Sequence, residues 1–216
     1  MLAVYAAWQV AYPSYTIHYR LSLTATVDGK SVMGSGVITV EYTARPNILH
    51  NERVGARAHG QAVMLDLGKR GALFALLATS PNSHSAATML IPNAWWQRHF
   101  VHPDNMRLLK TLRGSKNLSF EMLPMLVRFR DINAPVSVEL VDPNDLSASF
   151  GSGVKLDGAL IEITDQPVTL GLNKKLTWLE SGYEEKLLDN SGQGKPLGDL
   201  PPTATLTFGD VWRIRK

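Results

Sequence analysis

From Tyr15 to Val27 apolar and polar residues alternate without a break. Tyr15, Ile17, Tyr19, Leu21, Leu23, Ala25 and Val27 fall on one side, and Thr16, His18, Arg20, Ser22, Thr24 and Thr26 on the other. Period two over this length, rich in Thr and Tyr, predicts a long half-buried β-strand. Asp28-Gly29 follows, a favoured two-residue hairpin turn because both residues tolerate positive φ. The chain then returns through Val32 to Ile38, Val40 and Tyr42. Two more apolar runs, 61–67 and 72–77, are joined by Gly68-Lys69-Arg70-Gly71, a turn by composition. The first third therefore predicts a four-stranded antiparallel meander.

The middle of the chain changes period. Segments 82–100 and 102–116 read as helical or mixed, and Met106, Leu108, Leu109 and Leu112 are spaced to bury one helical face. Segments 125–130 and 136–141 predict strands around a Pro/Asn turn. Asp142-Pro143-Asn144-Asp145 predicts a helix start, with Asp142 as N-cap and Pro143 at the first helical position, and Gly151 ends the helix soon after. Segment 159–164 predicts a strand, 169–188 is mixed, 192–202 is a loop, and 203–208 and 211–215 predict closing strands. The fold class expected is α+β and β-rich: an antiparallel sheet with a long N-terminal hairpin, packed against two or three short helices.

Two fragments in the hairpin hint at chemistry and fail on inspection. Gly29-Lys30-Ser31 is the tail of a phosphate-binding loop, but Thr24 stands where the first glycine is needed, and the segment runs from strand to strand rather than into a helix. Ser35 in Gly34-Ser35-Gly36 lacks the Gly-x-Ser-x-Gly spacing of a nucleophile elbow, since Met33 and Val37 occupy the outer positions. Ser152 fails in the same way, with Phe150 and Val154 there. Glycines inside a strand instead mark a bulge or a close backbone approach.

Composition narrows the field further. There is no cysteine, which removes disulfides, thiolate metal sites and cysteine nucleophiles. With 22 basic and 19 acidic residues the net charge is +3, too mild to favour nucleic acid. Met1 to Tyr12 is apolar except for Gln9 and carries no charged side chain. It is shorter than the about 20 residues of a membrane span and lacks the basic start of a secretory signal. It reads either as a core element or as the remnant of a membrane anchor. Trp8, Tyr12 and Tyr15 near its end suit an interfacial belt. The chain divides accordingly into an apolar segment, 1–13, and one β-rich domain, 14–216.

His99 and His102, followed by Asp104, are the candidate metal ligands, although Pro103 breaks a helix there and no glutamate fills a general-base position. No cofactor is expected. Arg98, Arg107, Lys110, Arg113 and Lys116 form a local basic excess opposed only by Asp104. Arg107, Lys110 and Arg113 recur every third residue, as a stripe that meets anionic headgroups would, or as a plain solvated face. Trp95 and Trp96 cannot both point inward from a helix, so one is expected to be half exposed, as a partner or membrane contact or under a neighbouring loop.

Several stretches also carry a resemblance: 13–30, 34–42, 60–68, 72–77, 123–151 and 162–179. Together they resemble an uncharacterised proteobacterial family of membrane-anchored proteins of unknown function, whose hydrophobic N-terminal helix ends just before Pro13-Ser14-Tyr15. The resemblance implies that Met1 to Tyr12 is the stub of an anchor, and it implies no catalytic residue. This chain departs from the pattern in lacking the full hydrophobic helix and its upstream positive charges. The expected function is a non-enzymatic, envelope-associated binding or structural module at the bacterial inner membrane, facing the periplasm. Its partner-binding residues would be Trp95, Trp96, Arg107, Lys110 and Arg113, and its partner a membrane surface or an envelope protein. The alternatives are a hydrolase whose site assembles only in the fold, and a soluble cytoplasmic protein that binds an anionic partner.

Overall fold

The computed structural model describes residues 11–46, 54–78, 86–98, 100–179 and 211–213. The predicted alternation folds as expected. Strands β1 (Ser14–Val27) and β2 (Lys30–Ala44) pair in register from Ser14↔Thr43 to Val27↔Lys30. Asp28 and Gly29 form the turn with φ of 49° and 79°, both positive as a primed two-residue turn demands. Ile17, Tyr19, Leu21, Leu23 and Ala25 are buried on one face, and the intervening polar residues occupy the other.

This hairpin is the centre of a six-stranded sheet. β3 (Val54–Gln61) lies against β2 and β9 (Val154–Thr164) against β1; β10 (Trp212–Arg213) and β6 (Ser115–Leu118) take the two edges. Only the first two strands of the expected four-stranded meander lie in this sheet; β2 is followed by β3, which the pattern did not predict. The chain leaves the sheet at Gly60–Ala62, and β4 (Val63–Asp66) pairs with β5 (Ala72–Ala75) in a second sheet that continues through β7 (Leu126–Phe129) and β8 (Val138–Leu140). The run 61–67, which the pattern offered as one strand, is therefore the end of one strand and the whole of another.

The glycines of β2 explain how the sheets meet. A Cβ on Gly34 would collide with Met64 O and lie 2.7 Å from Leu65 Cα, and one on Gly36 would lie 3.1 Å from Val63 Cγ2. Of the two roles expected for these glycines, close approach is the one seen, because β1–β2 pairing runs through them unbroken. The bulge lies elsewhere. It falls where β1 meets β9, Thr24 facing Gly158 and Ala25 facing Leu156, which leaves Asp157 extra; its Oδ2 accepts a hydrogen bond from Thr26 Oγ1 at 2.8 Å.

The inner face of the first sheet is covered at the hairpin-tip end by β4 and β5. At the other end lie α1 (Ala86–Trp96) and a 3₁₀ stretch, Pro103–Thr111. Tyr19 and Tyr42 rise from adjacent strands and donate to the α1 carbonyls of Ala87 (2.9 Å) and Thr88 (2.7 Å). Pro92, four residues on from Thr88, has no N–H to offer that carbonyl, so the Tyr42 hydroxyl supplies the donor that the proline withholds. The second sheet is buried on the face toward the first sheet and partly covered on the other. Its far side packs under Leu172, Leu176, Trp178, Leu179 and Val211, which is why 72–77 reads as a continuous apolar run.

Helix α2 (Leu146–Phe150) begins later than expected. Asp145, not Asp142, is its N-cap, accepting from Ala148 N at 3.1 Å. Asp142 Oδ1 instead accepts from Asn144 N at 2.8 Å and closes the preceding turn. Gly151, at φ 87°, ends the helix as predicted. The segments 192–202 and 203–208 lie outside the described residues, as does most of the apolar segment 1–13.

Candidate membrane-facing surface

The basic stretch is a 3₁₀ helix, and its period decides what it shows to solvent. At three residues per turn, side chains three apart eclipse. Within Pro103–Thr111, Met106 and Leu109 form the buried row and Asp104, Arg107 and Lys110 an exposed one; past its end the chain is extended, with Leu112 buried and Arg113 exposed. Leu108, expected in the buried face, is 47% exposed because it belongs to the third row with Asn105 and Thr111. Arg113 also donates to the carbonyls of Lys110 (3.1 Å) and Leu112 (2.7 Å), so its charge caps the stretch it follows.

This row sits where the described chain enters the fold. Lys110 Nζ lies 4.9 Å from the centroid of the Tyr15 ring, a cation–π contact with the second residue of β1. Phe100, 64% exposed, precedes the row by a few residues. The Lys110–Tyr15 contact thus sets the exposed cations beside the start of β1, immediately downstream in sequence of the apolar N-terminal segment.

The other predicted residues are placed differently. Trp95 and Trp96 end α1, are both half-buried and pack against the first core, so neither is a free aromatic. The helix stops there because Gln97 takes φ 53° and the N–H groups of Gln97 and Arg98 turn back to Asn93 O and Pro92 O. His99 lies outside the described residues. His102 caps the 3₁₀ stretch: its Nδ1 lies 3.4 Å from Asp104 N and 3.0 Å from Asp104 Oδ2. These two contacts need opposite proton states of Nδ1 and are alternatives. Asp104 is 85% exposed, and no three metal-ligating side chains converge among the described residues.

Elsewhere the ionic chemistry is structural. Arg128 on β7 and Arg130 just past its end converge on Glu139 of β8, and the hydrogen bond from Arg130, ahead of that from Arg128, holds its carboxyl below the usual range. The Asp145 carboxyl is lowered by hydrogen bonds from Ser147 and Ala148, as suits an N-cap. Burial pushes the phenols of Tyr19 and Tyr42 well up, which fits their role as neutral donors.

Two adjoining cavities were not foreseen. The larger, about 440 Å³, lies on the far side of the second sheet between Met64, Ala72, Phe74, Phe129 and Ile132, with Lys175 at its rim. The smaller, about 180 Å³, lies between Ser35, Gln61, Val63 and the 169–172 segment, and shares Met64 and Lys175 with the first. Neither contains His102, Asp104 or the tryptophans of α1. Residues three strands and a loop apart make them up, so no sequence spacing announces them.

No family model, curated protein or solved structure matches the chain. Among the described residues, no helix is long and apolar enough to cross a membrane.

Proposed function

We propose that the chain is a non-enzymatic binding module of the bacterial envelope that rests on the anionic surface of the inner membrane, on its periplasmic side. The observation that carries this reading is the Lys110–Tyr15 contact. It sets the exposed Arg107, Lys110 and Arg113 beside the point where an uncharged, apolar segment joins the first strand. Anchor and cations would then address one surface together, the pairing of signals that stable attachment requires. Phe100 and Leu108, near the cations in sequence, are exposed apolar side chains. The resemblance to membrane-anchored proteobacterial chains supports the same assignment.

Each juxtamembrane cation contributes about 1 kcal/mol at an anionic surface, so three contribute on the order of 100-fold in affinity. The full chain is expected to sediment with vesicles containing phosphatidylglycerol more than with neutral phosphatidylcholine vesicles. The preference should shrink with added salt and disappear in R107E/K110E/R113E. A variant that keeps the preference would refute the assignment of the surface.

A further inference from the structure

The two cavities beside β4 share Met64 and Lys175. The larger is lined by the apolar Met64, Ala72, Phe74, Phe129 and Ile132 and also by Asp66, Arg130 and Asp131; Phe129 is braced edge-on between Phe74 (5.3 Å) and Trp178 (5.6 Å). At about 440 Å³ it falls in the range of small-molecule sites, roughly 300–1,000 Å³. The smaller offers hydrogen-bond donors. Gln61 is only 6% exposed, and its Oε1 accepts from Leu172 N at 2.9 Å, which fixes the amide orientation. Its Nε2, buried beside the cavity, has no hydrogen-bond partner. An unsatisfied buried donor is destabilising, so the position calls for an acceptor. Lys175, common to both cavities, has no ion-pair partner among the described residues.

We propose that the two cavities form one binding site for a small amphipathic carboxylate. Its head lies in the smaller cavity, accepting hydrogen bonds from Lys175 Nζ and Gln61 Nε2, and its apolar tail lies over Phe74 and Phe129. A carboxylate suits both donors, since it carries only acceptor oxygens and the opposite charge to Lys175. The site is independent of the membrane-surface reading. Ser35 lies seven positions along β2 from Tyr42, the partner of Tyr15, or roughly 23 Å along the strand.

Titration calorimetry on the full chain, with decanoate as probe and decanol and acetate as controls, tests the proposal. Decanoate is expected to bind and to raise Tm, with acetate and decanol each at least tenfold weaker. Lys175 is exposed, so K175M should leave the unliganded Tm unchanged and weaken decanoate at least tenfold. A72F, which fills the tail chamber, should remove binding while the chain still unfolds cooperatively. Absence of decanoate binding overturns the site. Equal binding of decanol, or full affinity in K175M, overturns the carboxylate assignment.

Discussion

At Gly34 the absence of a side chain lets two sheets touch. The β4 backbone crosses there, and a Cβ would meet the Met64 carbonyl and the Leu65 Cα rather than a side chain able to turn aside. Gly34→Ala must push β4 off β2 and is expected to cost about 2–3 kcal/mol, in the range of overpacked cores. Gly158 is the control. It also lies in a strand, yet a Cβ there meets nothing within 4 Å, and its φ lies outside the left-handed region. Gly158→Ala should be neutral or stabilise by about 0.5 kcal/mol, through the unfolded state. Urea titration of both variants checks the pair; equal destabilisation would show that strand glycine, not the crossing, sets the cost. In the sequence Gly34 is legible as a bulge or a close approach, and the two are told apart only by the partner backbone, β4, which belongs to the second sheet.

At the scale of elements, α1 is held by two phenols. Tyr42 donates to Thr88 O, which Pro92 cannot serve, and Tyr19 donates to Ala87 O. Both hydroxyls must stay protonated to donate. Their folded pKa values are raised above the ordinary 10.0, by burial in both cases and, for Tyr19, by the neighbouring Tyr42 as a smaller cause. Below pH 10 both states hold the protons and the helix contact is intact. Above it the unfolded chain releases protons that the folded chain keeps, so stability falls as pH rises. The stability of the native protein is thus expected to drop steeply above pH 10. Tyr42→Phe should lose about 1–2 kcal/mol at neutral pH and show a shallower alkaline slope. Thermal melts from pH 8 to 11.5 measure both, and parallel curves would contradict this account of the helix contact.

The same scale shows which elements were legible. β1 and β2 were, because one buried face imposes strict alternation over their length. β3 and β6 were not. β3 is built from Val54-Gly55-Ala56-Arg57-Ala58, and β6 from Ser115-Lys116-Asn117-Leu118, a mostly exposed edge with little apolar signal. Their pairing is supplied by β2 and β9, which lie elsewhere in the chain. The three-residue recurrence of Arg107, Lys110 and Arg113 was visible, but the alignment of Arg107 with Lys110 rests on a 3₁₀ rather than an α period, which also turns Leu108 outward, and Arg113 follows beyond the end of that stretch.

In the whole molecule the two ends of the central hairpin carry different features. The end where β1 begins holds the exposed cations; the other half holds the sheet crossing and the paired cavities. The cavities were illegible in sequence because they arise from the second sheet and from segment 169–175, which meet only in the fold. The basic surface was legible as a list of residues, and the structure adds its place beside Tyr15. The central claim is that residues before Ser14 and this surface act on one membrane. Cell fractionation of the full chain, and of a chain that starts at Ser14, followed by a carbonate wash of the membranes, tests it most directly. The full chain is expected to stay with the washed membranes, and the shortened chain, still folded, to be released. Both chains in the soluble fraction, equally stable, would contradict it.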